Sequence, residues 1–116
     1  MTYDIINERE ALQRMGDKEF LADLLQDFVQ MPELDMEALS ASISSSDFNQ
    51  VEHMAHTLKG ASGNLALTAI YQISTVLDDA AKHRNLDLIN ECFTALKREV
   101  ERFRAWLPDY LESLKG

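Results

Sequence analysis

The sequence predicts an all-α fold, an antiparallel up-down-up-down four-helix bundle with a short N-terminal capping helix. Three observations carry this expectation. Helix breakers are scarce, with 4 glycines and 2 prolines in 116 residues, so long helices can run uninterrupted. Apolar residues recur at spacings of three and four along most of the chain, the period of a helix with one buried face. No segment alternates apolar and polar residues as a half-buried strand does. Four amphipathic stretches joined by short turns, in a chain long enough for one core, pack as such a bundle. Residues 1–116 therefore read as a single domain.

A short first helix is expected over 8–15. Asn7 followed three residues later by Glu10 fits a capping box, and Gly16 stops the helix. Asp17 opens the next. Leu21, Leu25, Phe28, Pro32, Met36, Leu39 and Ile43 share one face at about 100° per residue. That stripe keeps phase across Pro32, so 18–44 reads as one long helix kinked at Pro32, which cannot bond the Phe28 carbonyl. Two shorter helices with a break there are the alternative. Ser46 or Asp47 caps a helix that runs to about Asn64, with Phe48, Val51, Ala55, Leu58, Ser62 and Leu65 inward. Leu67 or Thr68 opens another to about Lys82, burying Ile70, Ile73, Ser74, Leu77, Ala80 and Ala81. Residues 83–85 make a tight turn with Asn85 as cap. The last helix starts near Leu86 with the stripe Ile89, Phe93, Leu96, Val100, Phe103 and Leu107. Pro108 ends or kinks it, leaving a final turn that holds Tyr110, Leu111 and Leu114.

Composition narrows the function. A hydrophobic fraction of 46% belongs to a folded chain. The net charge of −9 opposes binding to nucleic acid or to an anionic membrane and suits a soluble protein that binds other proteins. Cys92 is the single cysteine, so no internal disulfide can form and a reducing, cytoplasmic setting is expected. Its place in an apolar stripe makes it a buried, inert thiol. The N-terminus lacks a basic segment followed by an apolar one, and no stretch has a membrane-spanning length of apolar residues. The chain is expected to be cytoplasmic and monomeric, whether freestanding or one piece of a larger membrane-bound protein.

The stretch richest in chemistry is HMAHTLKGAS, residues 53–62. His53 and His56 invite a metal reading, but the spacing fails. A zinc-protease helix needs the glutamate inside a His-Glu-x-x-His pair, and here Glu52 precedes it. Di-iron bundles need Glu-x-x-His, and Gln50, His53 and Ala80 stand three residues before the three histidines. There is no Cys-x-x-Cys, no Gly-x-Gly and no phosphate loop ending in Gly-Lys-Ser or Gly-Lys-Thr. No elbow turn for a serine nucleophile is visible. No metal or cofactor of its own and no self-contained enzymatic site are expected.

Helical phase separates the two histidines. With Val51 at 0°, Ala55, Leu58 and Ser62 lie within roughly 40° of it. His56 lies near about 140°, Glu52 about 100°, Lys59 about 80° and Gly63 about 120°. Glu52, His56, Lys59 and Gly63 thus form a solvent-facing row outside the core stripe, with Gly60 at its border. A neutral imidazole is a competent nucleophile, and an exposed one is mostly neutral near pH 7. Lys59, three residues on, can pair with phosphoryl oxygens and offset charge in an in-line transfer. Gly60 and Gly63 each cost a helix up to about 1 kcal/mol relative to alanine. Missing side chains there let a partner surface or a phosphoryl group approach the backbone. Gly60 could instead serve helix packing, and Gly63 could simply end the helix.

The run Ala55-His56-Thr57-Leu58-Lys59-Gly60-Ala61-Ser62-Gly63-Asn64-Leu65-Ala66 resembles the signature of histidine-containing phosphotransfer (HPt) domains, broadly Ala-His-x-Leu-Lys-Gly-x-Ser-x-x-Leu-Gly. Every position but the last agrees. Helix order, the proline-interrupted long helix, the Ser-Asp-Phe entry to the histidine helix and the chain length are similar too. Ala66 stands where the family has glycine, and a modest effect on the following turn is expected.

The resemblance implies a multistep phosphorelay. His56 would accept a phosphoryl group from the aspartate of one receiver domain, through Nε2, and pass it to another receiver's aspartate. Lys59 would stabilise the phosphoryl group, and Gly60 would be the close-approach position. Magnesium would belong to the partner receivers, and a hybrid sensor histidine kinase is a further implied partner. One position comes from hairpin geometry. If the chain turns about Leu67, Asp78 stands level with His56 and could hydrogen-bond Nδ1–H, orienting the ring; otherwise it is a solvated surface carboxylate. His53 and His83 read as surface or boundary residues. Two other functions stay open: the phosphoacceptor module of a histidine kinase, phosphorylated from ATP by a separate kinase domain, and a non-catalytic adaptor bundle.

Overall fold

The structure, a computed structural model, describes residues 3–115. Its elements are α1 (Glu8–Met15), α2 (Lys18–Val29), α3 (Met36–Ser44), α4 (Phe48–Asn64), α5 (Thr68–Lys82) and α6 (Leu86–Lys115), with a 3₁₀ turn, Pro32–Leu34, between α2 and α3. No strand occurs among the described residues. Helix α4 packs on α5, α5 on α6, α6 on α2 and α3, and α3 back on α4. This closes a four-walled bundle whose first wall is α2 and α3 in series. The expected stripes supply its core: Leu21, Leu25, Phe28, Leu39, Val51, Ala55, Leu58, Leu77, Ile89, Leu96, Val100 and Phe103 are buried. Phe28 and Phe103 meet edge to face at 5.5 Å. Each large apolar side chain buried this way contributes roughly 1.5–3 kcal/mol.

The single kinked helix expected over 18–44 is not formed. Met31 is extended at φ −62°, ψ 136°, as the residue before a proline prefers. Asp35 is extended too, and its carboxylate accepts from the Glu37 and Ala38 amides, which starts α3 afresh. The stripe hid the break because Leu34, outside it, turns into the core while Pro32 stays exposed. Pro108 has the opposite outcome: it neither ends α6 nor leaves a separate last turn, and the helix continues to Lys115. The proline is exposed, so the Arg104 carbonyl it cannot serve can bond water instead. At 1.5 Å per residue, a helix of 30 residues is about 45 Å long, and the molecule's longest dimension is 46 Å.

Helix α1 and its approach close one end of the bundle. Asn7 caps α1 through the Glu10 amide, but the reciprocal half of the capping box is absent. The Asn7 N–H goes to the Ala66 carbonyl at 2.8 Å, and Glu10 pairs with Arg14. Ala69 N–H also bonds the Asp4 carbonyl, so the N-terminal segment is stitched to the α4–α5 turn. Tyr110 donates to Glu8 and ties α1 to α6. Burial first, then that hydrogen bond and the Glu8 charge, push the Tyr110 phenol above its ordinary range.

The three short turns of the bundle share one device. Ser46, Ala66 and Arg84 have φ of 57°, 54° and 52°, the left-handed region in which a Cβ is strained. Caps on the far side then start two of the helices: Asp47 accepts from the Gln50 amide and Asn85 from the Leu88 amide. Ala66 lies where a glycine would be unstrained. Ala66→Gly is expected to raise stability by at most about 1 kcal/mol, because relief of the strain exceeds the loss of one buried methyl. A rise in urea midpoint at unchanged slope would register it.

Candidate functional site

The site begins with the phase of α4. Val51, Met54, Ala55, Leu58 and Ser62 are buried, so the opposite side of this helix is open. His56 stands there with 72% of its side chain exposed. Lys59 is half-buried, Gly60 is exposed and Gly63 is half-buried. His53, one turn earlier, is also exposed.

Helix α5 supplies the partner. Asp78 is 2% exposed, and its Oδ2 lies 3.4 Å from His56 Nδ1, 3.3 Å from Lys82 Nζ and 4.0 Å from Lys59 Nζ. Asp78 is therefore not a solvated surface carboxylate; the hairpin brings it level with His56, inside the α4–α5 seam. Burying a carboxylate is costly unless positive groups face it, and here two lysines and an imidazole do. Lys82 lies outside the histidine motif. The sequence still signals it: it stands four residues after Asp78 on the same helix, the spacing of a helical ion pair.

At 3.4 Å the His56–Asp78 hydrogen bond is long. It is made when Nδ1 carries the proton, and in the neutral ring that tautomer leaves the lone pair on Nε2. Nε2 has no hydrogen-bond partner among the described residues. In that tautomer Asp78 orients the ring and Nε2 offers a lone pair. A buried carboxylate behind the ring can offset positive charge that develops on it, and Lys59, three residues along α4, is a nearby cation that can offset negative charge brought to the ring.

The two glycines differ. A Cβ at Gly60 would meet nothing within 4 Å, so packing inside the fold does not require glycine there. A Cβ at Gly63 would lie 2.9 Å from two ring atoms of Tyr71 on α5. The Gly63 carbonyl also accepts from Arg14 of α1. Gly63 therefore lets α4 and α5 approach, and it neither ends α4, which runs to Asn64, nor opens the helix to solvent. Gly63→Ala is expected to cost about 1–2 kcal/mol of stability as the Tyr71 ring is displaced. Chemical denaturation should show the loss in the wild-type background and none beside Tyr71→Ala.

The remaining candidates stand apart. His83 Nδ1 lies 2.9 Å from the Asp79 carbonyl of its own turn. No group of three His, Cys, Asp or Glu that could hold a metal ion occurs among the described residues. Cys92 is buried, and burial, then Glu91, push its thiol above the ordinary value, so little thiolate forms at neutral pH. No described helix is long and apolar enough to cross a membrane.

Residues 23–106 match the family model described as the Hpt domain. The chain belongs to the Hpt domain family. The matched span runs from within α2 to Trp106 and contains His56, Lys59, Asp78 and Lys82. This Hpt domain is also similar to the phosphorelay intermediate protein rdeA of Dictyostelium discoideum, 26% identical over 95 residues. The alignment covers 82% of the Hpt chain but 37% of that relative's length. No solved structure matches. Membership makes this domain a phosphotransfer module of the phosphorelay class, and α1 and the end of α6 lie outside the family match.

Proposed function

We propose that this Hpt domain carries phosphoryl groups between receiver domains, with His56 as the acceptor. The observation that carries the reading is the exposed His56 ring held at Nδ1 by a buried carboxylate. The incoming group is an acyl phosphate on a receiver aspartate. His56 Nε2 attacks the phosphorus as the bond to the aspartyl oxygen breaks, and the carboxylate leaves with that electron pair. The Nδ1 proton stays in place, so the ring becomes cationic, and Asp78 offsets that charge. Lys59 pairs with the phosphoryl oxygens. Gly60 leaves the backbone bare beside the ring for the receiver. The return step runs the same chemistry to a second receiver's aspartate.

In this reading the domain is a carrier without an autonomous catalytic site, and magnesium sits in the receivers. The test is incubation with a phosphorylated receiver and magnesium. The expected product is an acid-labile, base-stable phosphohistidine that is lost on addition of a second receiver. Labelling by an ATP-dependent kinase core, with none from a phosphorylated receiver, would replace this with the kinase-module reading. Tight receiver binding that survives His56→Ala, without any transfer in wild type, would replace it with the adaptor reading.

A further inference from the structure

The Asp78 carboxylate has two oxygens with unlike surroundings. Oδ2 serves His56, Lys82 and Lys59. Oδ1 is fully buried and has no hydrogen-bond partner among the described residues. One other buried side-chain polar atom is in the same condition, the hydroxyl of Ser74, which is 0% exposed.

The two atoms are complementary. Ser74 stands four residues before Asp78 on α5, so the two side chains share one stripe of the helix, one turn apart. One is a hydroxyl donor and the other a carboxylate acceptor. Buried polar atoms are rarely left unpaired in folded proteins. Thr75, the neighbour of Ser74, satisfies its hydroxyl on the Tyr71 carbonyl one turn back, but the Ser74 hydroxyl does not make the equivalent bond.

We infer that Ser74 is a positioning residue whose hydroxyl, which makes no direct bond to Asp78 Oδ1 in this structure, donates to it through one bound water or after turning about its Cα–Cβ bond, and so fixes the carboxylate that orients His56. The inference rests on the reading of His56 and Asp78 as the phosphotransfer pair. A carboxylate held at both oxygens cannot rotate about its own axis. Oδ2 then keeps a single position for the Nδ1 proton, and the ring keeps Nε2 outward and unprotonated. A hydroxyl inside the bundle thereby sets the orientation of a ring on its surface without touching it.

The test is Ser74→Ala, read by stability and by nitrogen-15 NMR of the His56 ring. An unpaired buried hydroxyl is a burden, and alanine is the better helix former, so for an orphan Ser74 the exchange stabilises the fold. For a Ser74 bonded to Asp78 it strips a partner from a buried charge. The expected result is an unfolding equilibrium constant raised about tenfold, in line with hydrogen bonds to charged groups. With it, the Nδ1–H tautomer of His56 falls in population and phosphotransfer slows about three- to tenfold. In an Asp78→Ala background the same Ser74 exchange is expected to stabilise and to leave the tautomers unchanged. A stabilised single variant, or a tautomer population equal to wild type, would overturn the inference. Both readouts are taken on unphosphorylated protein, so they stand apart from the transfer reaction. A failure of wild-type transfer would instead strike the phosphotransfer reading.

Discussion

His56→Gln is expected to lose labelling by a phosphorylated receiver by at least about a hundredfold, to background, while the bundle stays folded. Glutamine keeps the size and a polar end but has no nitrogen lone pair able to attack phosphorus. The side chain is 72% exposed on a helix whose opposite face carries the packing, so stability should change by no more than about 0.5 kcal/mol. Equal labelling of the variant and wild type, with unchanged helical circular dichroism, would show that another residue accepts the group. His53, exposed one turn away, would be the next residue to replace.

Asp78→Asn is expected to slow transfer by about ten- to a hundredfold with little change in stability. In catalytic triads the corresponding exchange costs about 10⁴, because the imidazole is trapped in the wrong tautomer. The smaller figure here follows from a longer contact, 3.4 Å, and from a ring that solvent also reaches. Stability is spared because Lys82 and Lys59, 49% and 35% exposed, can turn to water when the charge is gone. The two measurements therefore separate. A variant that loses stability but transfers at the wild-type rate would show Asp78 to be a structural ion-pair member only. One that keeps stability and transfers slowly supports its role behind the ring.

Legibility in the sequence followed the range of the interactions. Helix positions were readable because the apolar period is local, and α4, α5 and the start of α6 fall where their caps and stripes put them. The two proline sites were harder. Pro32 and Pro108 carry the same chemical defect, yet one separates two helices and the other sits inside α6. At the first, Asp35 offers a new cap and Leu34 an anchor in the core. At the second, the ring faces solvent on a helix held on both sides by Leu107 and Leu114. Phase alone does not contain that difference. Gly63 was similarly ambiguous, since its neighbour Tyr71 is close only across the hairpin.

The sequence by itself determined the all-helical class, the order of the helices and the outward face of His56, because each depends on residues within a few turns of one another. Lys59 and Gly60 belong to that local set. The burial of Asp78, the pairing of Lys82 with it and the unmatched Ser74 hydroxyl inside the bundle were decided by the tertiary structure. The reason is physical. A carboxylate's environment is set by what the neighbouring helix and the solvent boundary bring to it, and only the closed α4–α5 seam places a charge in low dielectric beside a ring 22 residues away.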